Sequence, residues 1–233
     1  MLRVVMGDRF LSMTAPSMSL LSLDDYCLAN IFKYLVLDEL MVLLGKVHPR
    51  IDNAIQRQLR KYRNFEFSMR FPPQYETDQL RTLGKYIQHI NINVGYSIYQ
   101  EDVLAILRPL CMGAKESGRI KGLKIQHANI TMEYLDVIRL VAPLLLELDL
   151  RCCDVEDSDQ LSLLLNSASQ LKMLALNNKD VIGLEATLLS RLRILQINWV
   201  VGSNLSYVTT ISHLFPFLKV AVYQGNLETL YLP

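Results

Sequence analysis

Two periodicities divide the chain. Between Leu23 and Ile51 large apolar residues recur at helical spacing. Leu28, Ile31, Phe32 and Leu35 stand at i, i+3, i+4 and i+7, and Leu40, Leu43, Leu44 and Val47 repeat that order. Ser22, three residues before Asp25, reads as the capping start of the first helix, and Asp38 as the cap of the second. Pro49 suits the first turn of a third helix, whose Ile51, Ile55 and Leu59 would face inward. Three helices this short cannot bury much surface by themselves.

After Tyr62 the period changes. Asn64–Ser68 alternates polar and apolar residues and predicts a short strand ended by Phe71-Pro72-Pro73. A unit of the form L-x-x-L-x-L then recurs. It falls at Ile87, Ile90 and Ile92, at Ile120, Leu123 and Ile125, and at Leu145, Leu148 and Leu150, where Cys153 and Val155 extend it. It returns at Leu171, Leu174 and Leu176, at Leu192, Leu195 and Ile197, and in degraded form at Leu218, Ala221 and Tyr223. The middle positions 90, 123, 148, 174, 195 and 221 differ by 33, 25, 26, 21 and 26. All but the first interval fit the period of leucine-rich repeats, about 20–29 residues, and the first leaves room for a longer loop. Between the units the spacing is helical: Val103, Ile106, Leu107 and Leu110, then Met132, Leu135 and Ile138, then Leu161, Leu164 and Leu165, then Leu205, Val208 and Ile211. Strand followed by helix, repeated, predicts a parallel α/β arrangement, strands inside an arc and helices outside.

The opening stretch resembles an F-box. Leu23, Asp25, Ile31, Phe32, Tyr34, Leu35, Leu37, Glu39 and Leu40 match that family's pattern over roughly 45 residues. Asp24 stands where the family has Pro, and the late Val-Cys-Lys-x-Trp is loosened to Val47-His48-Pro49-Arg50-Ile51. The second part resembles the leucine-rich repeats that follow F-boxes, most closely over Leu145–Val155. The expected fold is therefore α/β, with residues 1–18 a flexible leader, 19–62 a three-helix F-box-like unit and 63–233 an irregular leucine-rich-repeat solenoid. Translation could begin at Met1, Met13 or Met18.

Composition narrows the function classes. With 24 Lys plus Arg against 23 Asp plus Glu, the net charge of +1 gives no global reason to expect nucleic acid or a membrane. No run of about 18 apolar residues predicts a span, and Met1–Met18 lacks the core of a signal peptide. Cys27, Cys111, Cys152 and Cys153 have no metal-ligand spacing and read as structural thiols in a reducing compartment, cytoplasm or nucleus. His48, His89, His127 and His213 are scattered, and no phosphate loop or nucleophile motif occurs. Asp154, Glu156, Asp157 and Asp159 read as a helix-capping acidic turn. Trp199 reads as core, and Arg57, Arg60, Lys61 and Arg63 as the wet side of a helix.

These features point to a non-catalytic interaction protein with no cofactor or metal. The F-box resemblance implies docking of Leu23, Ile31, Phe32, Leu35, Leu37 and Leu40 on a Skp-type adaptor, and through it a cullin–RING ligase. Alternation along the strands places His89, Asn91, Asn93, Lys124, Gln126, Glu147, Asp149, Arg151, Asn177, Gln196 and Asn198 on one face for an unidentified protein target. The alternative is a repeat scaffold with a helical cap and no part in ubiquitin transfer; an enzyme is the third and weakest reading. At the C-terminus Leu227, Leu230 and Leu232 lie too near Ala221 for another parallel unit. They predict either an antiparallel fold-back, favoured here, or a repeat cut short in a longer protein.

Overall fold

A computed structural model describes residues 19–95, 98–181, 184–198 and 229–231. The chain divides into two compact units, residues 1–55 and 56–233. The leader, Trp199, His213 and the positions Leu205, Val208, Ile211, Leu218, Ala221, Tyr223, Leu227 and Leu232 lie outside the described residues.

The first unit holds α1 (Asp25–Phe32), α2 (Leu37–Leu43) and the start of α3 (Pro49–Leu59). Asp24, not Ser22, caps α1: its carboxylate accepts a hydrogen bond from the Cys27 N–H at 2.7 Å. That contact, a backbone donor facing an anion at a helix N-terminus, holds the Asp24 carboxyl below its usual range. The residue that departs from the F-box pattern is thus the one that starts the helix. Helix α1 stops at Phe32, so Leu35 lies beyond it, in a turn closed by the bonds Tyr34 N–H to Ile31 O and Leu35 N–H to Phe32 O. Val36 occupies the cap position of α2 in place of Asp38, and the Glu39 carboxylate reaches back to the Val36 N–H at 2.9 Å. Arg50 ties the unit together by donating to Asp25 and to the Leu21 carbonyl.

The second unit is α/β. Its strands are β1 (Asn64–Ser68), β2 (His89–Asn93), β3 (Gly122–Gln126), β4 (Asn129–Ile130), β5 (Glu147–Asp149), β6 (Asp154–Val155), β7 (Met173–Asn177), β8 (Ile194–Asn198) and β9 (Thr229–Tyr231). Seven of them form one sheet in the order β1-β2-β3-β5-β7-β8-β9, every neighbouring pair parallel. The remaining two, β4 and β6, make a small parallel ladder of their own. The helices between strands are α4 (Thr77–Gly84), α5 (Gln100–Ser117), α6 (Met132–Arg139), α7 (Ser158–Ser167) and α8 (Ala186–Arg191).

Register explains the repeated leucines. Phe65, Ile90, Leu123, Leu148, Leu174, Leu195 and Leu230 stand in one row across the sheet. The first six of these are buried, as are the leading residues Ile87, Ile120, Leu145, Leu171 and Leu192. Cys153 and Val155 are buried as well, and the Cys153 thiol donates to the Ile125 carbonyl at 3.2 Å. The extra length of the 33-residue interval lies in its helix rather than in a longer loop: α5 runs for 18 residues, and α4 packs against it. The antiparallel fold-back is overturned. Strand β9 runs parallel to β8, with Leu230 opposite Leu195, and so takes the place beside β8 that the spacing had given to Ala221. The residues separating 198 from 229 are long enough for a crossover, which nine residues after Ala221 were not.

Candidate interaction surfaces

Apolar exposure concentrates in the first unit. Leu20, Leu21, Tyr26, Ile31, Tyr34, Val36, Val42 and Val47 are all exposed, within one 28-residue stretch. Ile31 is 41% exposed, Tyr34 78% and Val36 59%. Single exposed leucines are ordinary, but this many large apolar groups in so short a stretch mark a surface that gains by being covered. Of the six residues read as the adaptor contact, Ile31 is exposed and Leu23, Leu35 and Leu37 are half-buried. Phe32 and Leu40 are interior and support the helices instead of forming their outer face. Tyr34 and Val36, beside Ile31 in the chain, are two exposed side chains that helical periodicity missed because α1 ends before them.

The second surface is the polar side of the sheet. One row runs Asn64, His89, Gly122, Glu147, Met173, Ile194 and Thr229; the next runs Glu66, Asn91, Lys124, Asp149, Ala175, Gln196 and Tyr231. His89 crosses the strand beside it. Its Nδ1 is 3.1 Å from the Asn64 Oδ1, and its Nε2 is 3.9 Å from the Glu147 Oε2 on the far side of β3. Gly122 permits this, because a methyl group there would stand 2.5 Å from the His89 Cδ2. Asn93 and Glu147 are exposed, and His89, Asn91, Lys124, Gln126, Arg151, Gln196 and Asn198 are half-buried.

Two residues expected on this surface belong to the fold itself. Asp149 is buried and its carboxylate is saturated by Arg151, through the backbone N–H at 3.1 Å, Nε at 3.0 Å and Nη2 at 2.7 Å. Reversing both charges would therefore test the turn as much as a target. Asn177 is 1% exposed. Strand β5 ends at Asp149 and Cys152 adopts a left-handed φ of 60°, so the Cys152 N–H needs a new acceptor. The Asn177 Oδ1 supplies it at 3.1 Å and also accepts from Asn198, while its amide donates to the Cys153 carbonyl. His127, which follows the neighbouring strand β3, has φ 56° and donates its backbone N–H to the Cys152 carbonyl. Asp149 and Asn177 are each the last residue of a strand; alternation assigns them a face but is silent about the turn after β5, whose backbone N–H groups both side chains accept from.

The four cysteines are thiols rather than disulfides, and burial pushes Cys111 and Cys153 up to about 12. Asp157 caps α7 by accepting from the Gln160 N–H at 2.9 Å, and Asp154 pairs with Lys179, so the acidic turn is a capping turn. Among the described residues no three His, Cys, Asp or Glu side chains converge as a metal site, and no helix is long and apolar enough to cross a membrane.

Asp180 lacks a comparable partner. It is 3% exposed, and neither carboxylate oxygen has a hydrogen-bond partner among the described residues. Burial pushes its carboxyl up to about 6; Lys179 opposes the shift and Asp154 adds to it. A carboxyl raised in the folded state makes the fold weaker wherever it must ionise. Its contribution is harmless below the unfolded value near 3.8 and grows more unfavourable as pH rises through about 6. Asp180→Asn is expected to raise stability at pH 7.5 by about 1–3 kcal/mol, or roughly 2–10 °C in Tm. The gain should shrink to nothing by about pH 4. Thermal melts of both proteins across that range check it, and equal Tm values at pH 7.5 would refute it.

No protein-family model matches the chain, and no curated protein matches it either.

Proposed function

We propose that this chain is a substrate-recognition subunit of a Skp–cullin–F-box ubiquitin ligase. In this reading the helices of the first unit dock on the Skp-type adaptor, and the strands of the second form the inner wall of a leucine-rich-repeat solenoid that holds a protein target. The observation that carries the proposal is the exposed apolar stretch around Ile31, Tyr34 and Val36, within the segment that carries the F-box resemblance. Parallel strands in sequence order, with an inward row of apolar side chains, support the repeat reading. The chain's part in ubiquitin transfer is proximity: holding a target raises the effective concentration of its lysines beside a charged enzyme.

Burial of Phe32 and Leu40 within the chain alone favours a second reading, a repeat scaffold whose helices serve as a cap. Co-purification separates the two. The full chain, expressed together with a Skp-type adaptor, is expected to elute with it as a stoichiometric complex in gel filtration. Separate elution at micromolar concentrations would reject the ligase reading and leave the scaffold.

A further inference from the structure

The parallel sheet sorts charge in a way that a net of +1 conceals. Among the described residues, the connections from a helix back to the next strand lie at the N-terminal edge of the sheet, because its strands all run the same way. These connections are 60–63, 85–88, 118–121, 140–146, 168–172 and 192–193. They contain Arg60, Lys61, Arg63, Lys85, Arg119, Lys121, Lys172 and Arg193, all exposed, and not one Asp or Glu. The connections at the opposite edge have the reverse bias: Glu76, Asp154, Glu156, Asp157, Asp180 and Glu185 against Arg70, Arg151 and Lys179.

The backbone fixes the order of these cations. The carbonyl before each strand accepts from the N–H groups opening the next: Arg63 O from Gln88 and His89, Gln88 O from Lys121 and Gly122, Lys121 O from Leu146 and Glu147. Leu146 O and Lys172 O continue the series to Lys172, Met173, Arg193 and Ile194. Arg63, Lys121, Lys172 and Arg193 therefore stand in one stack, separated by two, two and one strand steps of about 4.8 Å each.

Helix dipoles explain the sign of this edge but not its size. The C-terminal end of a helix carries about half a negative elementary charge, so six helices ending here present roughly three. Eight cations exceed that, even with Lys85 bound to Glu116 at 3.1 Å. Arg60, Arg63, Arg119, Lys121 and Lys172 form no ion pair among the described residues.

We propose that this basic edge is a docking surface for an acidic, Asp/Glu-rich segment of a partner protein. The proposal stands apart from the ligase reading, since it needs neither an adaptor nor ubiquitin. The chemistry of the edge selects the occupant. Its two tyrosines, Tyr62 and Tyr86, are half-buried, and the Tyr86 hydroxyl donates to Gln56, so no stacking platform for bases is presented. None of the exposed large apolar side chains falls in these connections, so nothing is available to enter a bilayer. What is left is a row of long, flexible cations at close intervals, which suits carboxylates distributed along an extended chain.

Fluorescence anisotropy with the full chain and a labelled Asp/Glu-rich peptide tests the proposal. Binding by the unaltered chain is expected to weaken steeply between about 0.1 M and about 1 M salt, where the screening length falls from about 10 to about 3 Å. The triple variant Arg63→Gln, Lys121→Gln, Lys172→Gln removes three exposed charges and should lose about ten- to a hundredfold in affinity. Arg70→Gln, at the opposite edge, should bind as the unaltered chain does. Circular dichroism establishes that the triple variant is folded; if it is not, Lys121→Gln alone, with a several-fold loss expected, serves in its place. Absence of salt-sensitive binding overturns the proposal. So does unchanged affinity in the folded variants, or tighter binding of a charge-matched single-stranded oligonucleotide or of phosphatidylserine vesicles at the same salt.

Discussion

Replacing Ile31 and Leu37 together by aspartate is expected to abolish binding to the Skp-type adaptor while leaving the sheet-bearing unit folded. The two positions suit the test because neither substitution attacks the interior. Ile31 is exposed, and surface changes cost little stability. Leu37 is the first residue of α2, where a carboxylate faces the positive end of the helix dipole and is welcome. Each large apolar side chain covered by a partner contributes about 1.5–3 kcal/mol, and two together about 3–6 kcal/mol. Their loss corresponds to a fall of roughly a hundred- to ten-thousandfold in affinity, before the added penalty of burying charge. Phe32→Ala is the instructive contrast. Phe32 is interior, so its truncation should cost about 3–5 kcal/mol of folding and lose the adaptor only through disorder of the helices. Isothermal titration with the adaptor, paired with thermal melts, separates these outcomes. Undiminished binding by the double variant would remove the F-box role.

Much of the second unit was legible in the sequence because its core repeats a simple rule. Where three apolar residues stand at L-x-x-L-x-L, the leading one is buried and the other two point inward from a parallel strand, as at Leu171, Leu174 and Leu176. The elements that escaped had weaker signals. Helix α4 buries Gln79 and Gly84 beside Leu80 and Leu83, so its inner side is only half apolar. Strand β1 was visible as an alternation, but its membership of the same sheet was not, since Phe65 and Phe67 stand where later strands have aliphatic residues. Strand β9 lies 35 residues after Leu195 in the chain, beyond the period that the earlier strands establish. The surfaces were legible only in part. Periodicity marks Ile31 and Phe32 alike as apolar, and since both lie within α1 only its packing decides which one faces out. The basic edge was hidden for a related reason: its eight cations fall in five short segments, and they form one surface only when helix ends and strand register are known.

Gly113→Ala is expected to destabilise the second unit by about 3 kcal/mol or more, because α4 and α5 meet there backbone to backbone. A methyl group on Gly113 would stand 2.9 Å from the Arg81 carbonyl carbon and 3.2 Å from the Lys85 amide nitrogen, closer still to the Arg81 carbonyl oxygen. Gly84 mirrors it from the other helix, where a methyl group would press on the Leu110 carbonyl with its carbon at 3.0 Å. Neither obstacle is the end of a flexible side chain, so relief requires the helices to separate. Separation would loosen Leu80 and Leu83 against the fully buried Leu107, Leu110 and Cys111, and would pull apart the Arg81–Glu116 and Lys85–Glu116 pairs at the same joint. The surface pairs are a minor part of the loss, since exposed ion pairs contribute little. The packing term dominates. Alanine's better helix propensity, about 1 kcal/mol over glycine, acts in the opposite direction and is too small to reverse the sign. At roughly 2–4 °C per kcal/mol for a unit of this size, Tm should fall by about 6–12 °C. Gly118→Ala provides the control. Gly118 ends α5 with φ 65° and has open space around it, so that substitution tests left-handed strain alone, at about 1–2 kcal/mol. If Gly113→Ala melts no lower than Gly118→Ala, the two helices do not depend on this close approach.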